Sequence, residues 1–297
     1  MSATDSRNAG LAGSPRASAV GLWSFRVPKT TLRYVEGSMG VFVLWWLVLS
    51  PASAQAADDP LTRARQLYNQ RQFKEAVNAA EQARQFPAHA DLADLVAARA
   101  YLERFRESTA ADDLANARDR LSRIDPAKFP PRERAEYIVG LGEALFFDDS
   151  YGAAAAVFDS VLLSGESMSS EARERVLDWW ATSVDREAKP RPDIDRHEIY
   201  QRIRTRMREE IATRPANGTA VYWLAASAQA QGDQQAAWDA AQAGWVRAPL
   251  TGDRGAVLRA DLDRLVVLAI VPDRARVLGQ PADTLRALWE QFKDRWK

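Results

Sequence analysis

The residues that could do chemistry are few and lie far apart in the chain. There is no cysteine, and His89 and His197 are the only histidines. His197 lies within residues 193–198, whose residue types can bind a metal, but no second cluster with ligand spacing accompanies them. We therefore interpret this run as a solvated helix start with Asp195 as its N-cap, and we predict neither a metal nor a cofactor.

The carboxylates that come closest to an acid–base pair are Glu143, Asp148 and Asp149. Such a cluster can exchange protons with a substrate, although a solvated helix end commonly has the same composition. The sequence contains no glycine-rich phosphate loop, no serine nucleophile elbow and no zinc-protease helix. We therefore predict that the protein is not an enzyme.

The composition is typical of a folded protein. Apolar residues make up 46% of the 297 residues and charged residues 27%. Lys plus Arg is 40 and Asp plus Glu is 40, and a net charge of zero argues against binding to nucleic acid or to an anionic membrane surface. The lack of cysteine excludes disulfides, thiolate metal sites and a cysteine-linked lipid.

The N-terminal residues resemble a secretion leader. Residues 41–49 form an uncharged apolar run that is too short for a bilayer of about 30 Å. A small-residue segment follows, in which residues 54–56 (AQA) fit a cleavage signal. We predict an N-terminal extension and signal peptide over residues 1–56, cleaved after Ala56, and a periplasmic or secreted mature chain. Two alternatives stay open: Met39 is the true start, or residues 39–57 remain as a membrane anchor that places the protein outside the cytoplasm.

The elements that would position any site are helices. Downstream of Pro60, apolar or small residues recur three and four apart, with breaks at Pro, Gly, Asn and Asp. Residues 138–162 show the clearest helix–turn–helix, with a small residue in the first helix and an alanine early in the second. Two other segments share this arrangement. The small residues of the three first helices are Ala64, Gly142 and Ala225, and the early alanines of the three second helices are Ala76, Ala154 and Ala237.

These segments resemble the tetratricopeptide repeat family, whose unit is a helix–turn–helix of about 34 residues. The early alanines are separated by 78 (154 − 76) and 83 (237 − 154) residues, so one degenerate unit is expected in each gap. The first copy departs from the family by having Arg71 where a turn glycine is usual. The resemblance implies an all-α fold, a right-handed superhelix of about five helix pairs followed by C-terminal capping helices. We assign residues 57–250 to the repeat domain and 251–297 to the cap.

Prolines and an apolar stripe predict three further features. Residues 187–193 contain Pro190 and Pro192 and are expected to form a surface loop, the longest break in the array, the alternative being a hinge. Residues 265–271 are predicted to form a buried helix that ends before Pro272. The last helix carries an apolar stripe that is expected to dock on the final repeat, the alternative being a free amphipathic segment. The stripe consists of Leu285, Leu288, Trp289, Phe292 and Trp296.

The resemblance also implies a binding surface, because the first helices of such arrays line a concave groove that receives a peptide or a partner helix. The pattern places nine residues there: Arg65, Tyr68, Glu136, Val139, Glu143, Phe146, Phe147, Asp178 and Tyr222. One of the two adjacent phenylalanines is expected to pack between helices and the other to face the groove, although two core residues fit the pattern equally.

The predicted function is that of a non-catalytic interaction scaffold of the cell envelope. Its partner is a protein or peptide and not a nucleic acid, and it contacts a membrane only if the leader is uncleaved. Two alternatives remain open. One is a helical accessory module of a peptidoglycan or envelope enzyme, and the other is a membrane-tethered assembly factor that uses residues 39–57 as its anchor.

Overall fold

A computed structural model describes residues 59–164 and 168–297. The regular structure of these residues is helical throughout, so the predicted all-α class is confirmed for them. The predicted leader, its cleavage site after Ala56 and the alternative anchor at residues 39–57 lie outside the described residues. In the part of the chain that is described, no helix is both long enough and apolar enough to cross a membrane.

Helices follow one another with short connections. Three 3-10 turns, at Pro87–His89, Pro126–Lys128 and Ala248–Arg254, and a π-helical turn at Val266–Ile270 lie between α-helices. The α-helices are α1 Pro60–Asn69, α2 Phe73–Arg84, α3 Ala90–Ser108, α4 Ala111–Arg123, α5 Pro131–Phe147, α6 Tyr151–Leu163, α7 Ser170–Ala188, α8 Asp193–Thr213, α9 Gly218–Ala230, α10 Gln234–Arg247, α11 Gly255–Leu265, α12 Val271–Leu278 and α13 Ala282–Arg295.

Local sequence explains where several helices begin. A polar side chain just before the helix accepts a hydrogen bond from a backbone N–H of the first turn, which would otherwise lack a partner. Ser169 caps α7 in this way, Asn217 caps α9 at 2.9 Å from the Ala220 nitrogen, and Asp233 caps α10. Asp59 caps α1, in which Pro60 occupies the first position, where its missing N–H costs nothing.

Three of the turns between helices have the same backbone geometry. Arg71, Asp149 and Gly232 follow α1, α5 and α9 with φ of 62°, 58° and 83°, in the left-handed region. In each turn the next residue donates its N–H to the carbonyl five positions earlier, as from Gln72 to Leu67 at 2.9 Å. The three positions are 78 (149 − 71) and 83 (232 − 149) residues apart, the same spacing as the early alanines.

The helix crossings depend on small residues. The early alanines of α2, α6 and α10 are fully buried, and so are Ala64 and Ala225 in α1 and α9. In α5 the equivalent residue is Gly142, and a β-carbon there would lie 2.5 Å from the ring of Phe158 in α6. Because Phe158 is completely buried, the glycine makes room for a side chain much larger than those at the equivalent positions, Ala80 and Ala241.

The core is a series of clusters along the chain. The first clusters join α1, α2 and α3, the next joins α3, α4 and α5, a third joins α5 to α9, and the last joins α9 to α13. Consecutive helices pack against each other, and α1, α3, α5, α7, α9 and α11 also contact one another in succession. These six helices therefore share one side of the packing, which we call the odd-helix face.

The proline-rich segment and the start of α8 differ from expectation. The helix α7 continues to Ala188 and α8 begins at Asp193, so only four residues connect them. These residues are exposed, as expected for a surface loop, but the prediction that they form the longest break is wrong, because the connection between α4 and α5 is longer. Pro192 occupies the N-cap position of α8, and its carbonyl accepts the first hydrogen bond of the helix, from the Arg196 N–H at 2.9 Å. Asp195 consequently lies inside the first turn, and its prediction as the N-cap is wrong as well.

The helix predicted to end before Pro272 continues through it to Leu278. Residues 265–271 are helical and not extended, as expected. The π-helical turn before the proline makes the difference, because the Val271 N–H donates to the carbonyl of Val266, five positions back. In a regular α-helix the ring of Pro272 would crowd the carbonyl four positions earlier, and Pro272 has no N–H to donate to it. The wider π-helical turn changes which carbonyl lies opposite Pro272.

The C-terminal helix α13 docks through part of its predicted stripe. Leu285 and Trp289 are buried, and the Trp289 indole nitrogen donates to Asp263 Oδ1 at 2.8 Å. Leu288 and Trp296 are about half exposed, so the buried stripe is narrower than the apolar stripe of the sequence.

Candidate functional site

Three of the nine predicted groove residues line one pocket. Arg65 and Tyr68 come from α1 and Glu136 from α5, while α3 supplies Arg99 between them. The pocket has a volume of about 220 Å³. It lies on the odd-helix face, where the predicted binding residues were expected. We call it the Arg99 pocket.

Charge pairing across helices organises the Arg99 pocket. The Arg99 guanidinium lies 4.6 Å from the centre of the Tyr68 ring, and its Nη1 donates to Glu136 Oε2 at 2.6 Å. Arg65 is 3.6 Å from Glu133, and the Arg132 Nε donates to Glu136 at 3.3 Å. Burial raises the pKa of the Tyr68 hydroxyl, and the charge of Arg99 opposes that rise. The pocket thus offers an aromatic surface and fixed charges of both signs.

A second group of charges adjoins this pocket along α3 and α5. Arg106 of α3 donates to Glu103 at 3.1 Å, and its other terminal nitrogen lies 3.8 Å from Glu143 of α5. The side chain of Glu143 is 15% exposed, and this burial raises its pKa to about 6, against the effect of Arg106. We call Glu103, Arg106 and Glu143 the Arg106 cluster.

Phe146 and Phe147 belong to an aromatic group around Trp179 of α7. Their ring centres lie 4.9 and 5.7 Å from that of Trp179, and Phe147 also lies 4.9 Å from Phe105 of α3. Both phenylalanines are partly buried, and both contribute to packing between helices. Val139 is partly buried against the same central core.

Asp178 and Tyr222 lie together further along the odd-helix face. The Trp223 indole nitrogen donates to Asp178 Oδ1 at 2.7 Å, and burial raises the pKa of the Asp178 carboxyl. Burial, followed by the nearby carboxylates of Asp261 and Asp178, raises the pKa of Tyr222 to about 12. Burial also raises the pKa of Asp261 of α11, whose Oδ1 pairs with Arg264 at 3.2 Å. This part of the face is therefore acidic and aromatic.

Sequence reasoning missed Arg99, Glu103 and Arg106, although they connect the predicted residues. They occur on α3 at spacings of four and three, which places them on one side of a helix. That spacing in the sequence could have indicated that the three side chains share one side of α3. The degenerate unit between the first two clear copies supplied no signature position, and so no groove residue was assigned to it.

Another pocket, of about 520 Å³, lies near the C-terminus. Its wall includes Trp245, whose ring is 5.0 Å from the Arg259 guanidinium and 5.7 Å from the Lys293 nitrogen. None of the nine predicted residues lines it, and the carboxylates with raised pKa, Glu143, Asp178 and Asp261, line neither of these two pockets.

His197 and the carboxylates near the end of α5 form no metal centre. Within the described ranges, no three His, Asp or Glu side chains are grouped so that they could hold a metal ion. Asp148 accepts hydrogen bonds from Arg118 of α4 at 2.6 and 2.7 Å, and Asp149 accepts one from Tyr151. Asp148 therefore joins the end of α5 to α4, and Asp149 takes part in the turn before α6.

Comparison with known proteins adds no relative from which a role could be transferred: no family model, no curated protein and no solved structure matches the chain. The resemblance to tetratricopeptide repeats therefore rests on the repeated positions within the chain itself.

Proposed function

We propose that the protein is a tetratricopeptide-like scaffold that binds a peptide or a partner helix along the odd-helix face. The observation that carries this proposal is the Arg99 pocket. Three residues selected by their position in the repeat, Arg65, Tyr68 and Glu136, line it together although they come from helices about 70 residues apart in sequence.

The repeated geometry supports a right-handed superhelix of five helix pairs, α1/α2 to α9/α10, with α11 to α13 as the cap. The three clear copies share the crossing residue, the left-handed turn residue and the buried early alanine in the same register. Repeat arrays of this kind bury a core only by stacking neighbours, and their inner helices form an extended binding surface. The succession of contacts among the odd-numbered helices fits that arrangement.

The chemistry of the face supports a protein or peptide partner. It combines partly exposed aromatic side chains with arginines, residue types that are enriched at protein interfaces. An accessory module with hidden catalysis would need perturbed carboxylates inside a cleft. The carboxylates with raised pKa lie outside the two pockets, which favours the scaffold.

We place the mature scaffold in the cell envelope on the basis of the leader. N-terminal sequencing of the mature protein tests this part by itself. A first residue at Ala57 supports a periplasmic or secreted protein, whereas an intact segment 39–57 supports the tethered alternative.

Site-specific photocross-linking tests the binding face. The cross-linking residue benzoylphenylalanine replaces Arg65 or Arg132, which line the Arg99 pocket, in the protein expressed in its own cells. The same replacement at Arg63, exposed on α1 but not lining that pocket, is the matched control.

The proposal requires one and the same polypeptide to be linked from positions 65 and 132, through a single segment identified by mass spectrometry, and not from position 63. Different products at 65 and 132, or equal yields at 63, would show that this face is not the binding surface.

A further inference from the structure

The guanidinium of Arg106 lies close to two carboxylates on the odd-helix face. Arg106 makes hydrogen bonds to Glu103 at 3.1 and 3.4 Å, but its 3.8 Å separation from Glu143 is too long for one. Among the described residues, the Nε of Arg106 finds no hydrogen-bond partner although it is buried. The position of this arginine is therefore only partly fixed by hydrogen bonds.

Glu143 is surrounded by titratable groups from three neighbouring helices. Tyr68 faces it from α1, Arg99, Glu103 and Arg106 face it from α3, and Arg175 faces it from α7. Burial raises its pKa to about 6, with Arg106 and Arg99 opposing the shift and Glu103 adding to it. The side chain therefore changes charge in a pH range that many compartments reach.

The charges of the Arg99 pocket and the Arg106 cluster balance when they are counted together. The Arg99 pocket and the Arg106 cluster together contain four arginines and four glutamates: Arg65, Arg99, Arg106, Arg132, Glu103, Glu133, Glu136 and Glu143. Loss of the negative charge of Glu143 leaves one positive charge in excess.

We propose that the Arg106 cluster is a proton-controlled switch on the odd-helix face. With Glu143 ionised, Arg106 is held between two carboxylates. With Glu143 protonated, Arg106 remains with Glu103 alone, and the face gains a positive charge that can pair with an acidic segment of a partner. The statement about the partner rests on the proposed function, whereas the change within the cluster does not.

Trp179 provides a built-in reporter, because the Arg106 guanidinium lies 5.0 Å from the centre of its ring. A cation over an indole is held by the ring electrons, so a shift of the arginine changes the surroundings of the fluorophore. The emission of Trp179 is isolated from that of the other tryptophans by subtracting the spectrum of the Trp179→Phe variant.

The first experiment follows the cluster without any partner. Carboxyl carbon NMR of Glu143 and the Trp179 emission are recorded from pH 4.5 to 8. Both are expected to change with one midpoint near pH 6. The Trp179 transition is expected to vanish in Glu143→Gln, whose amide resembles the protonated acid, and to persist in Glu107→Gln, an exposed position on α3.

A Glu143 carboxyl signal that shows no transition near pH 6, or a Trp179 emission that does not follow the titration of Glu143, overturns the proton-controlled switch.

The second experiment tests the partner. Two synthetic amphipathic helices of identical apolar face are used as probes, one with aspartates and one with lysines on its polar face. The aspartate helix is expected to bind about fivefold more tightly at pH 5.5 than at pH 7.5, the upper range for a partly exposed ion pair. Glu143→Gln is expected to bind it at pH 7.5 as tightly as the wild type does at pH 5.5.

Affinity for the aspartate helix that does not vary with pH, or a preference for the lysine helix at low pH, overturns the partner statement. Failure of both helices to bind at any pH counts against the proposed function and overturns the partner statement with it. The titration of Glu143 and Trp179 still tests the proton-controlled switch by itself.

Discussion

At Gly142, side-chain size decides how α5 packs on α6. A β-carbon at this position would lie 2.5 to 2.9 Å from three carbons of the Phe158 ring, and Phe158 is completely buried. We expect Gly142→Ala to destabilise the protein by about 1–3 kcal/mol, because overpacking outweighs the gain in helix propensity of about 1 kcal/mol. Urea unfolding followed by circular dichroism measures the change.

Gly140 in the same helix is the matched control. A β-carbon there would lie 3.4 Å from Leu121, an ordinary contact distance, so Gly140→Ala is expected to be neutral or slightly stabilising. The double variant Gly142→Ala with Phe158→Leu is expected to recover part of the loss, since the smaller side chain leaves room for the new methyl group. Equal effects of the two single substitutions would contradict this account of the crossing.

Glu143 makes stability depend on pH in a defined direction. Its pKa is about 6 in the folded protein against 4.5 for the ordinary group, so between these values the folded state binds more protons than the unfolded state. The free energy of unfolding therefore falls as pH rises through this window, by about 2 kcal/mol. Glu143→Gln is expected to be more stable than the wild type at pH 7.5 by up to that amount, and the difference is expected to vanish near pH 4.5.

Thermal or urea unfolding at both pH values measures the difference between the two proteins. The exposed control Glu107→Gln is expected to change stability by less than about 0.5 kcal/mol at either pH. A Glu143→Gln variant that is no more stable than the wild type at pH 7.5 would show that the buried carboxylate carries no penalty.

At the scale of the element, the turn after α1 stores conformational strain. Arg71 has φ 62°, and an L-residue other than glycine costs about 1–2 kcal/mol in the left-handed region. Its ion pair with Glu107 is 4.0 Å long and exposed, so it contributes little. Arg71→Gly is expected to stabilise the protein by about 0.5–1 kcal/mol, part of the gain being offset by the greater freedom of glycine in the unfolded chain.

Two further substitutions act as controls, with stability measured by urea titration. Gly232→Ala at the equivalent turn is expected to cost about 1 kcal/mol for conformational reasons alone, because no atom lies within 4 Å of the added carbon. Gln70→Gly, one residue before Arg71 and at an ordinary φ of −82°, is expected to be destabilising. A stabilising Gln70→Gly would remove the argument for strain at Arg71.

The docking of α13 depends on one tryptophan. Trp289 is fully buried against Trp238 and Trp245, and it donates to Asp263. Trp289→Ala is expected to cost about 3–5 kcal/mol, whereas Leu288→Ala, at a side chain that is about half exposed, is expected to cost less than about 0.5 kcal/mol. Hydrogen exchange over α10 to α13 measures the loosening. Similar exchange in both variants would mean that α13 is not held by its buried stripe.

Short-range patterns in the sequence predict the elements well, and contacts between distant residues explain most of what they miss. The small residues at 64, 142 and 225 and the early alanines locate the helix crossings because a close approach of two helices tolerates few side chains. The π-helical turn before Pro272 was missed because proline usually ends a helix, whereas here the wider turn lets the helix continue through it. Arg99 was missed because its importance arises from Tyr68 and Glu136, which lie on other helices.

At the scale of the whole molecule, stability should be local, because each helix contacts mainly its neighbours in sequence. In such a chain, a perturbation spreads through adjacent interfaces and weakens with distance. Ala76 and Ala154 provide a matched test, since both are fully buried at equivalent positions, one in α2 near the start of the described chain and the other in α6 near its middle. Valine at either position adds the same two methyl groups to a tight crossing.

Ala76→Val is expected to raise amide exchange in α1, α2 and α3 and to leave α9 to α13 protected, because only one side of that unit has neighbours within the described chain. Ala154→Val is expected to raise exchange on both sides, from α3 to α9, and to lower the midpoint of global unfolding further, since α5 contacts α3 and the central core cluster joins α5 to α9. Hydrogen exchange with mass spectrometry resolves the two patterns helix by helix. Uniform loss of protection across all described helices in both variants would mean that the molecule unfolds as one cooperative unit, and it would contradict the expectation that its stability is local.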